Sequence, residues 1–209
     1  MFLNETRKEY TQFEFDKSKA LGNPFDQFND WFEFAKKEAL FEPNAITLST
    51  SMNNQPNSRV VLLKAFDENG FVFFSNYNSQ KAIELVENPL VSVNVFWPKI
   101  ERQIKIFGSV AKTSSEESNA YFSTRPRDSQ LSAWASNQSE EIEDRAQLDK
   151  KLDEFKARFP NEVPRPDHWG GYRITPNYFE FWQGRENRYH DRICYKKAAT
   201  NWTIFRLNP

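Results

Sequence analysis

Apolar positions recur at helical spacing at Phe25, Phe28, Trp31, Phe32 and Ala35, and Asn23-Pro24 precedes them as a cap with proline at the first helical position. This predicts a helix running to about Ala39 with a buried aromatic face. Residues 1–22 show few periodic apolar positions, so an N-terminal arm is expected there and not a packed element. Strand patterns follow over 45–51, 58–66 and 71–76. A polar turn, Asn53 to Asn57, separates the first two, and the hairpin signal Asp67-Glu68-Asn69-Gly70 separates the last two. Residues 79–87 read as a short helix capped by Asn78 or Ser79 and ended by Asn88-Pro89. Two more strands, 90–97 and 101–111, join across Pro98-Lys99.

Further on, residues 114–122 read as a helix with Glu116 and Glu117 in its first turn, and 123–139 as a polar, irregular segment. A charged amphipathic helix is expected over 140–159, then a loop punctuated by Pro164 and Pro166, then strands at 169–175, 178–182, 192–196 and 202–207. Five strands by residue 111, linked mostly by short turns, imply an antiparallel sheet that curls into a barrel. The chain has no internal repeat or linker. We therefore expect one mainly β domain of α+β type over 23–209, an antiparallel β-barrel with surrounding helices, preceded by the arm at 1–22.

Composition sharpens this reading. A net charge of -1 over 209 residues gives no basic field for nucleic acid or a membrane surface, so any anion site must be local. Twenty Phe, seven Tyr and six Trp concentrate the apolar surface in few large residues, suited to a core and to a subunit interface. Cys194 is the sole cysteine, which excludes an intramolecular disulfide, and His168 and His190 lack the spacing of a metal site. Charges come too early in MFLNETRKEY for a signal peptide, and no apolar run approaches the ~18 residues of a membrane span. A cytoplasmic chain is the expectation.

Four stretches carry candidate chemistry. Residues 178–192, YFEFWQGRENRYHDR, alternate as a strand and then place three arginines and His190 within eight residues of turn. Arg59 and Lys64 bracket an apolar strand; their odd spacing puts them on opposite faces, so two separate anion sites are expected unless a bulge intervenes. Asn78-Ser79-Gln80-Lys81 opens a helix whose free N–H groups and lysine suit a phosphate. Tyr121, Arg125 and Ser129 offer a phenol, a guanidinium and a hydroxyl for a phosphate dianion, with Ser136-Asn137-Gln138-Ser139 adding donors nearby. Each stretch also reads as a solvated polar surface. No G-x-G-x-x-G or Walker loop is present, so a phosphorylated cofactor would be held by side chains and helix ends.

Together, RVVLLK at 59–64, ERQI at 101–104, RPRDSQ at 125–130 with Ala133-Trp134 and Gln138-Ser139, WGG at 169–171 and FWQGRENRYHDR at 181–192 resemble the pyridoxamine 5′-phosphate oxidase family, in the family's order over roughly residues 7–209. The resemblance implies an FMN-binding split β-barrel and a homodimer with FMN at the subunit interface. It implies oxidation of pyridoxamine 5′-phosphate and pyridoxine 5′-phosphate to pyridoxal 5′-phosphate by O2, releasing H2O2 and, from the amine, NH3. FMN would be held by Arg59, Val60, Val61, Leu62, Leu63, Lys64, Phe74, Ser75, Gln80, Lys81, Gln138 and Ser139, mainly at its phosphate end, with Gln103, Trp182 and Arg192 around the flavin ring. Lys64, Tyr121, Arg125 and Ser129 would bind the substrate phosphate. Arg188, Tyr189 and His190 would lie over the pyridine ring, Arg188 and His190 as the catalytic pair projecting from one face of an extended strand end. Arg7, Lys8, Glu9 and Tyr10 match a segment that can cover the site. Gln80 departs from the pattern, since relatives often carry arginine there, and this implies weaker FMN phosphate binding or a substitute cation. Tyr189 stands where leucine is common. A related split-barrel flavin oxidase acting on another ring compound, or a non-catalytic flavin- or pyridoxal-phosphate-binding protein, would share part of this set.

Overall fold

The computed structural model describes residues 9–38 and 40–209. The expected helix is α1, Pro24–Lys37, and the Asn23 side chain accepts the Phe25 N–H as its cap. Phe28, Trp31 and Ala35, spaced three and four apart, turn one face of α1 into the core. There Phe28 meets Phe71 at 4.7 Å between ring centroids and Trp31 meets Phe181 at 5.2 Å, both edge to face.

Among the described residues nine antiparallel strands make one sheet: β1 Ala45–Met52, β2 Gln55–Leu62, β3 Ala65–Asp67, β4 Gly70–Asn76, β5 Leu90–Trp97, β6 Arg102–Lys112, β7 Trp169–Gln183, β8 Asp191–Lys197 and β9 Trp202–Arg206. The order is β2-β1-β5-β6-β7-β4-β3, with β8 on the far half of β7 and β9 beside β8. β2 and β3 therefore stand at opposite ends of a seven-strand order, yet only Leu63 and Lys64 join them. A flat sheet would hold those ends about 29 Å apart at ~4.8 Å per strand. The link spans only about 11 Å of extended chain. The sheet must curl, and at the end of the link the Lys64 N–H donates to the Val72 carbonyl of β4 at 2.9 Å, beside the pairing of β3 with β4. The Asp67–Gly70 hairpin that follows needs its glycine: Gly70 has φ 137°, and a Cβ there would sit 1.9 Å from the Ile174 carbonyl oxygen.

Phe122 of α3 Ser115–Thr124 and Leu131 and Ala133 of α4 Arg127–Ala135 form a smaller apolar cluster with Val163 and Trp169, and Leu152 and Phe155 of α5 Arg145–Arg158 pack against it. The remaining helix, α2 Gln80–Glu87, packs on β1.

Several expectations change. Residues 58–66 are two strands and not one, because the chain leaves one end of the sheet for the other at Leu63-Lys64. The turn before them is only Asn53-Asn54; Pro56 is tolerated because β2 is an edge strand. Residues 169–183 are one strand with a bulge, since Phe107 pairs with Tyr178 and Gly108 with Pro176, leaving Asn177 extra. That bulge accommodates a proline that a regular ladder would exclude. The irregular segment 123–139 contains α4, a helix whose buried Leu131, Ala133 and Ala135 follow no clean helical period. The charged helix starts later than expected, at Arg145 behind Asp144, which accepts the Gln147 N–H. Ala39 lies outside the described residues. Part of the arm is packed: Phe15 is buried in the core, and its N–H donates to Asp191 Oδ2 at 3.0 Å. Its aromatics are too sparse to reveal a period.

Phe28→Ala should cost about 3–5 kcal/mol of unfolding free energy, the range for deleting a fully buried phenyl ring, measured by denaturant unfolding.

Candidate functional site

One cavity of about 760 Å³ opens at the barrel seam, walled by β2, β4, the start of α2, α3, α4 and the 136–139 loop. Arg59, Lys64, Lys81 and Arg125 all line it. Arg59 and Lys64 line one cavity although their spacing placed them on opposite faces, because β2 ends at Leu62 and Lys64 belongs to the link where the strand's alternation no longer holds.

Behind Arg59 lies a carboxylate the motifs did not single out. Glu84 of α2 is only 3% exposed, and Oε2 accepts from Arg59 Nη2 at 2.7 Å and from the Thr50 hydroxyl. Oε1 accepts from Asn57 at 2.9 Å and Gln80 at 3.1 Å. Burial pushes the Glu84 carboxyl upward, but hydrogen bonds from Thr50, Asn57, Arg59 and Gln80 together outweigh it and hold its pKa at about 2. Arg59 also donates to the Thr50 hydroxyl, so its guanidinium is fixed at the cavity wall.

Lys81 is buried and donates to three neutral oxygens: Ser75 Oγ at 3.1 Å, Ser79 Oγ at 3.2 Å and Gln138 Oε1 at 3.2 Å. Burial and the nearby Arg59 charge pull its pKa down to about 8, against a smaller upward pull from Glu84. The three N–H donors of Lys81 all go to neutral acceptors, so no carboxylate pairs its charge directly. On the opposite wall Tyr121 stacks on Phe74 at 3.9 Å, Phe74 on Trp169 at 5.5 Å, and the Arg125 guanidinium lies 4.5 Å over Trp169. Arg125 Nη1 is buried with no hydrogen-bond partner, and burial lowers the pKa of the group. Arg125 as a residue lines the cavity, so its guanidinium brings a positive charge to that wall.

A second cluster occupies the other end of β7. Gln103, Trp182 and Arg192 are direct partners across β6, β7 and β8, so they share one face. The His190 ring lies 4.6 Å from Trp182, and Tyr10 packs edge-on against both at 5.6 and 5.9 Å. The Arg185 backbone N–H donates to His190 Nδ1 at 3.1 Å, so the neutral ring carries its proton on Nε2. Burial, then the neighbouring Arg188 charge, lowers the His190 pKa, against upward pulls from Asp191 and Glu9. None of these residues lines the cavity.

The profile of the pyridoxamine 5′-phosphate oxidase family matches residues 33–159, and that of the pyridoxine 5′-phosphate oxidase C-terminal dimerisation region matches residues 169–209. The chain belongs to the pyridoxamine 5′-phosphate oxidase family. Among its relatives in that family, pyridoxine/pyridoxamine 5′-phosphate oxidase of Acaryochloris marina is 46% identical over 209 residues, 99% of this chain and 95% of its own, and that of Rubrobacter xylanophilus is 49% identical over 205 residues, 97% and 94% of the two chains. The crystal structure of PhzG from Burkholderia lata 383 in complex with tetrahydrophenazine-1-carboxylic acid is similar with a TM-score of 0.90 and 27% identity, covering 95% of this chain and 99% of that one. A pyridoxamine 5′-phosphate oxidase-related, FMN binding protein from Nostoc punctiforme shares the fold at 0.72 and 16% identity, over 91% of this chain and 100% of that one.

Within this family member the cavity gathers Arg59, Val60, Val61, Leu62, Lys64, Phe74, Ser75, Gln80, Lys81, Tyr121, Arg125, Ser129, Gln138 and Ser139. Leu63 does not join them: its side chain is in the core. Arg188 and His190 do not share the face of an extended strand, because residues 186–188 form a 3-10 turn with Asn187 at φ 53° and Arg188 at φ 62°. Arg188 and Tyr189 are exposed. Glu9 Oε2 accepts the Asn187 N–H, and Arg7 and Lys8 lie outside the described residues. The sequence reading missed Glu84, although its spacing from Gln80 puts both on one face of α2.

The Glu84 pKa lies below its ordinary 4.5, so its stabilisation is full above about pH 4.5 and is lost as pH falls toward 2. Glu84→Gln should lower stability at neutral pH by on the order of 3 kcal/mol and flatten that acid dependence, measured by urea unfolding across the window.

Proposed function

We propose that this protein is an FMN-dependent oxidase that converts pyridoxamine 5′-phosphate, and pyridoxine 5′-phosphate, to pyridoxal 5′-phosphate. The observation that carries the reading is one cavity holding two separate anion receivers, Arg59 with Lys81 at one wall and Arg125 with Tyr121 at the other. That arrangement suits two phosphorylated molecules side by side. The donors are all side chains of the kind that bind phosphate, which fits FMN at its phosphate end: Arg59, Lys81, Ser75 and the Gln138-Ser139 pair would hold it. FMN, when bound, supplies the two-electron acceptor that takes hydride from the substrate's C4′ and passes electrons to O2.

The chain's own groups do the positioning. Lys64, Tyr121, Arg125 and Ser129 hold the substrate phosphate, and the Phe74-Tyr121-Trp169 stack keeps water from that end. His190, neutral with its proton on Nε2, donates a hydrogen bond to the substrate ring and does not accept a proton there. Tyr10 covers Trp182 and His190 from the solvent side. Arg188 is exposed, so its contact with the ring forms when substrate arrives.

One chain does not line its cavity with Trp182, His190 or Arg192. We place FMN between two copies, the cavity of one protomer completed by that cluster from its partner. The match to a C-terminal dimerisation region supports this, as do the exposed Val60, Val86, Leu90, Phe96 and Phe107. Val60 both lines the cavity and stands 66% exposed, which puts the cavity beside that apolar surface. The sole cysteine, Cys194, is buried, consistent with a reducing cytoplasm.

An aerobic assay with pyridoxamine 5′-phosphate and FMN, following aldehyde and peroxide together, tests the activity. Flavin binding without peroxide would leave a binding protein, and peroxide only from an unphosphorylated ring compound would indicate the alternative oxidase.

Arg125→Ala should raise KM for pyridoxamine 5′-phosphate about 10- to 100-fold, the loss of one charge-assisted contact, while turnover of unphosphorylated pyridoxamine stays the same. Equal losses on both substrates would make Arg125 structural.

Lys81 gives a pH signature. Its ligand-free pKa of about 8 means that apo-protein loses the ammonium above that pH. A bound phosphate holds the proton on, so FMN affinity should fall as pH rises from about 8 and a proton should be taken up on binding there. Fluorescence titration of FMN across about pH 7–9.5 reads this, and a flat profile would remove Lys81 from the phosphate site.

A further inference from the structure

Glu180 sits where a strand would ordinarily show a polar residue to water, yet it is 3% exposed. β7 puts Phe179 and Phe181 into the core and Tyr178, Glu180 and Trp182 on the other face. The register makes Lys105, Glu180 and Cys194 one row across β6, β7 and β8, and Gln103, Trp182 and Arg192 the next row on the same face. Glu180 Oε1 accepts from Arg192 Nε at 2.9 Å and Oε2 from Arg192 Nη2 at 3.1 Å, a fork-to-fork pair. Lys105 Nζ and the Tyr178 hydroxyl approach Oε2 at 3.5 and 3.4 Å. Arg192 Nη1 donates to the Asn208 carbonyl at 2.9 Å. Three of the five guanidinium N–H groups are thus occupied, and the plane of Arg192 is fixed with two left to donate.

A single cation would suffice to keep a buried carboxylate paired, and Lys105 is within reach. The bidentate grip does more: it sets the orientation of Arg192 beside Trp182 and offsets its charge. We propose that Glu180 is a positioning residue that, through Arg192, sets the electrostatic environment and so the reduction potential of the flavin. The inference rests on the reading above that Arg192 faces the flavin ring. Two-electron reduction adds negative charge to the ring system, which a nearby positive charge favours. Glu180 lowers the net positive charge that Arg192 presents, which holds the potential down and keeps the reduced cofactor a ready donor to O2. Both its own charge and its neutralisation of Arg192 act in the same direction, so the sign is fixed.

The test uses FMN-loaded Glu180→Gln, Glu180→Asp, Tyr178→Phe and Arg192→Gln, with the flavin potential measured by equilibration against a reference dye and FMN affinity by titration of each apo-protein. Glu180→Gln should shift the potential to more positive values. Tyr178→Phe, which alters the same cluster without changing its charge, should leave it unmoved. Glu180→Asp keeps the charge and shortens the reach, so it should retain the wild-type potential while weakening FMN several-fold; this variant carries the test if the amide variant fails to fold. Arg192→Gln should weaken FMN by roughly tenfold or more. If Arg192→Gln matters but Glu180→Gln leaves the potential unchanged, or Glu180→Asp matches wild type in both measurements, Glu180 is structural only. If Arg192→Gln alters neither affinity nor potential, Arg192 does not face the flavin, and the assignment of that residue falls with the proposal.

Discussion

The shortness of the Leu63-Lys64 link constrains everything else. Strands at the two ends of the sheet order are adjacent in the chain, so the sheet has to close on itself. Closure brings β2 against β4 and leaves a seam that no ladder of backbone bonds fills. Many of the candidate site residues gather at that seam because several elements converge there: Arg59 from β2, Lys64 from the link, Ser75 from β4 and Lys81 from α2. Lys64 shows the coupling directly, since its N–H bonds to β4 at the end of the link and the residue lines the cavity.

The cations of the cavity and of the second cluster need counter-charges, and the fold supplies two of them from behind. Glu84 grips Arg59 and Glu180 grips Arg192, each a buried carboxylate with at least two donors on it. The pairing differs for Lys81 and Arg125. Lys81 has only neutral oxygens, and Arg125 has an aromatic face and an orphan N–H. The clamped arginines are thus preorganised, whereas no carboxylate is a hydrogen-bond partner of Lys81 or Arg125 among the described residues. Gln80 belongs with the clamps: its amide donates to Glu84, so its place in this chain is in the support of Arg59.

The aromatic surplus also divides. Phe28, Trp31, Phe71, Phe179 and Phe181 fill the barrel beneath α1. Phe74, Tyr121 and Trp169 make a flat wall in the cavity, and Tyr10, Trp182 and His190 make a second aromatic group at the far end of β7. β7 connects the two, with Trp169 at its start and Trp182 near its end.

Local pattern by itself located most strands and helices and the antiparallel character, though not the break at Leu63-Lys64 or the continuity of β7, because side-chain alternation and capping are set by neighbours in the chain. Asn23-Pro24 and Asp67 to Gly70 do what their chemistry requires wherever they stand. Residue chemistry pointed to Arg59, Lys64, Gln80, Lys81, Tyr121, Arg125, Ser129, Gln138 and Ser139 of the cavity lining, and the family resemblance added Val60, Val61, Leu62, Phe74 and Ser75. Tertiary structure decided what depends on partners distant in sequence. Pro176 stays within a single strand only because β6 offers Gly108 opposite the bulge, and α4 forms because Leu131 and Ala133 find Phe122 and Trp169 to bury against. Arg59 and Lys64 meet in one cavity only because the sheet closes. Glu84 and Glu180, unremarkable as letters, gain their roles from burial beside arginines 25 and 12 residues away, a cost in desolvation that only the assembled fold can offset.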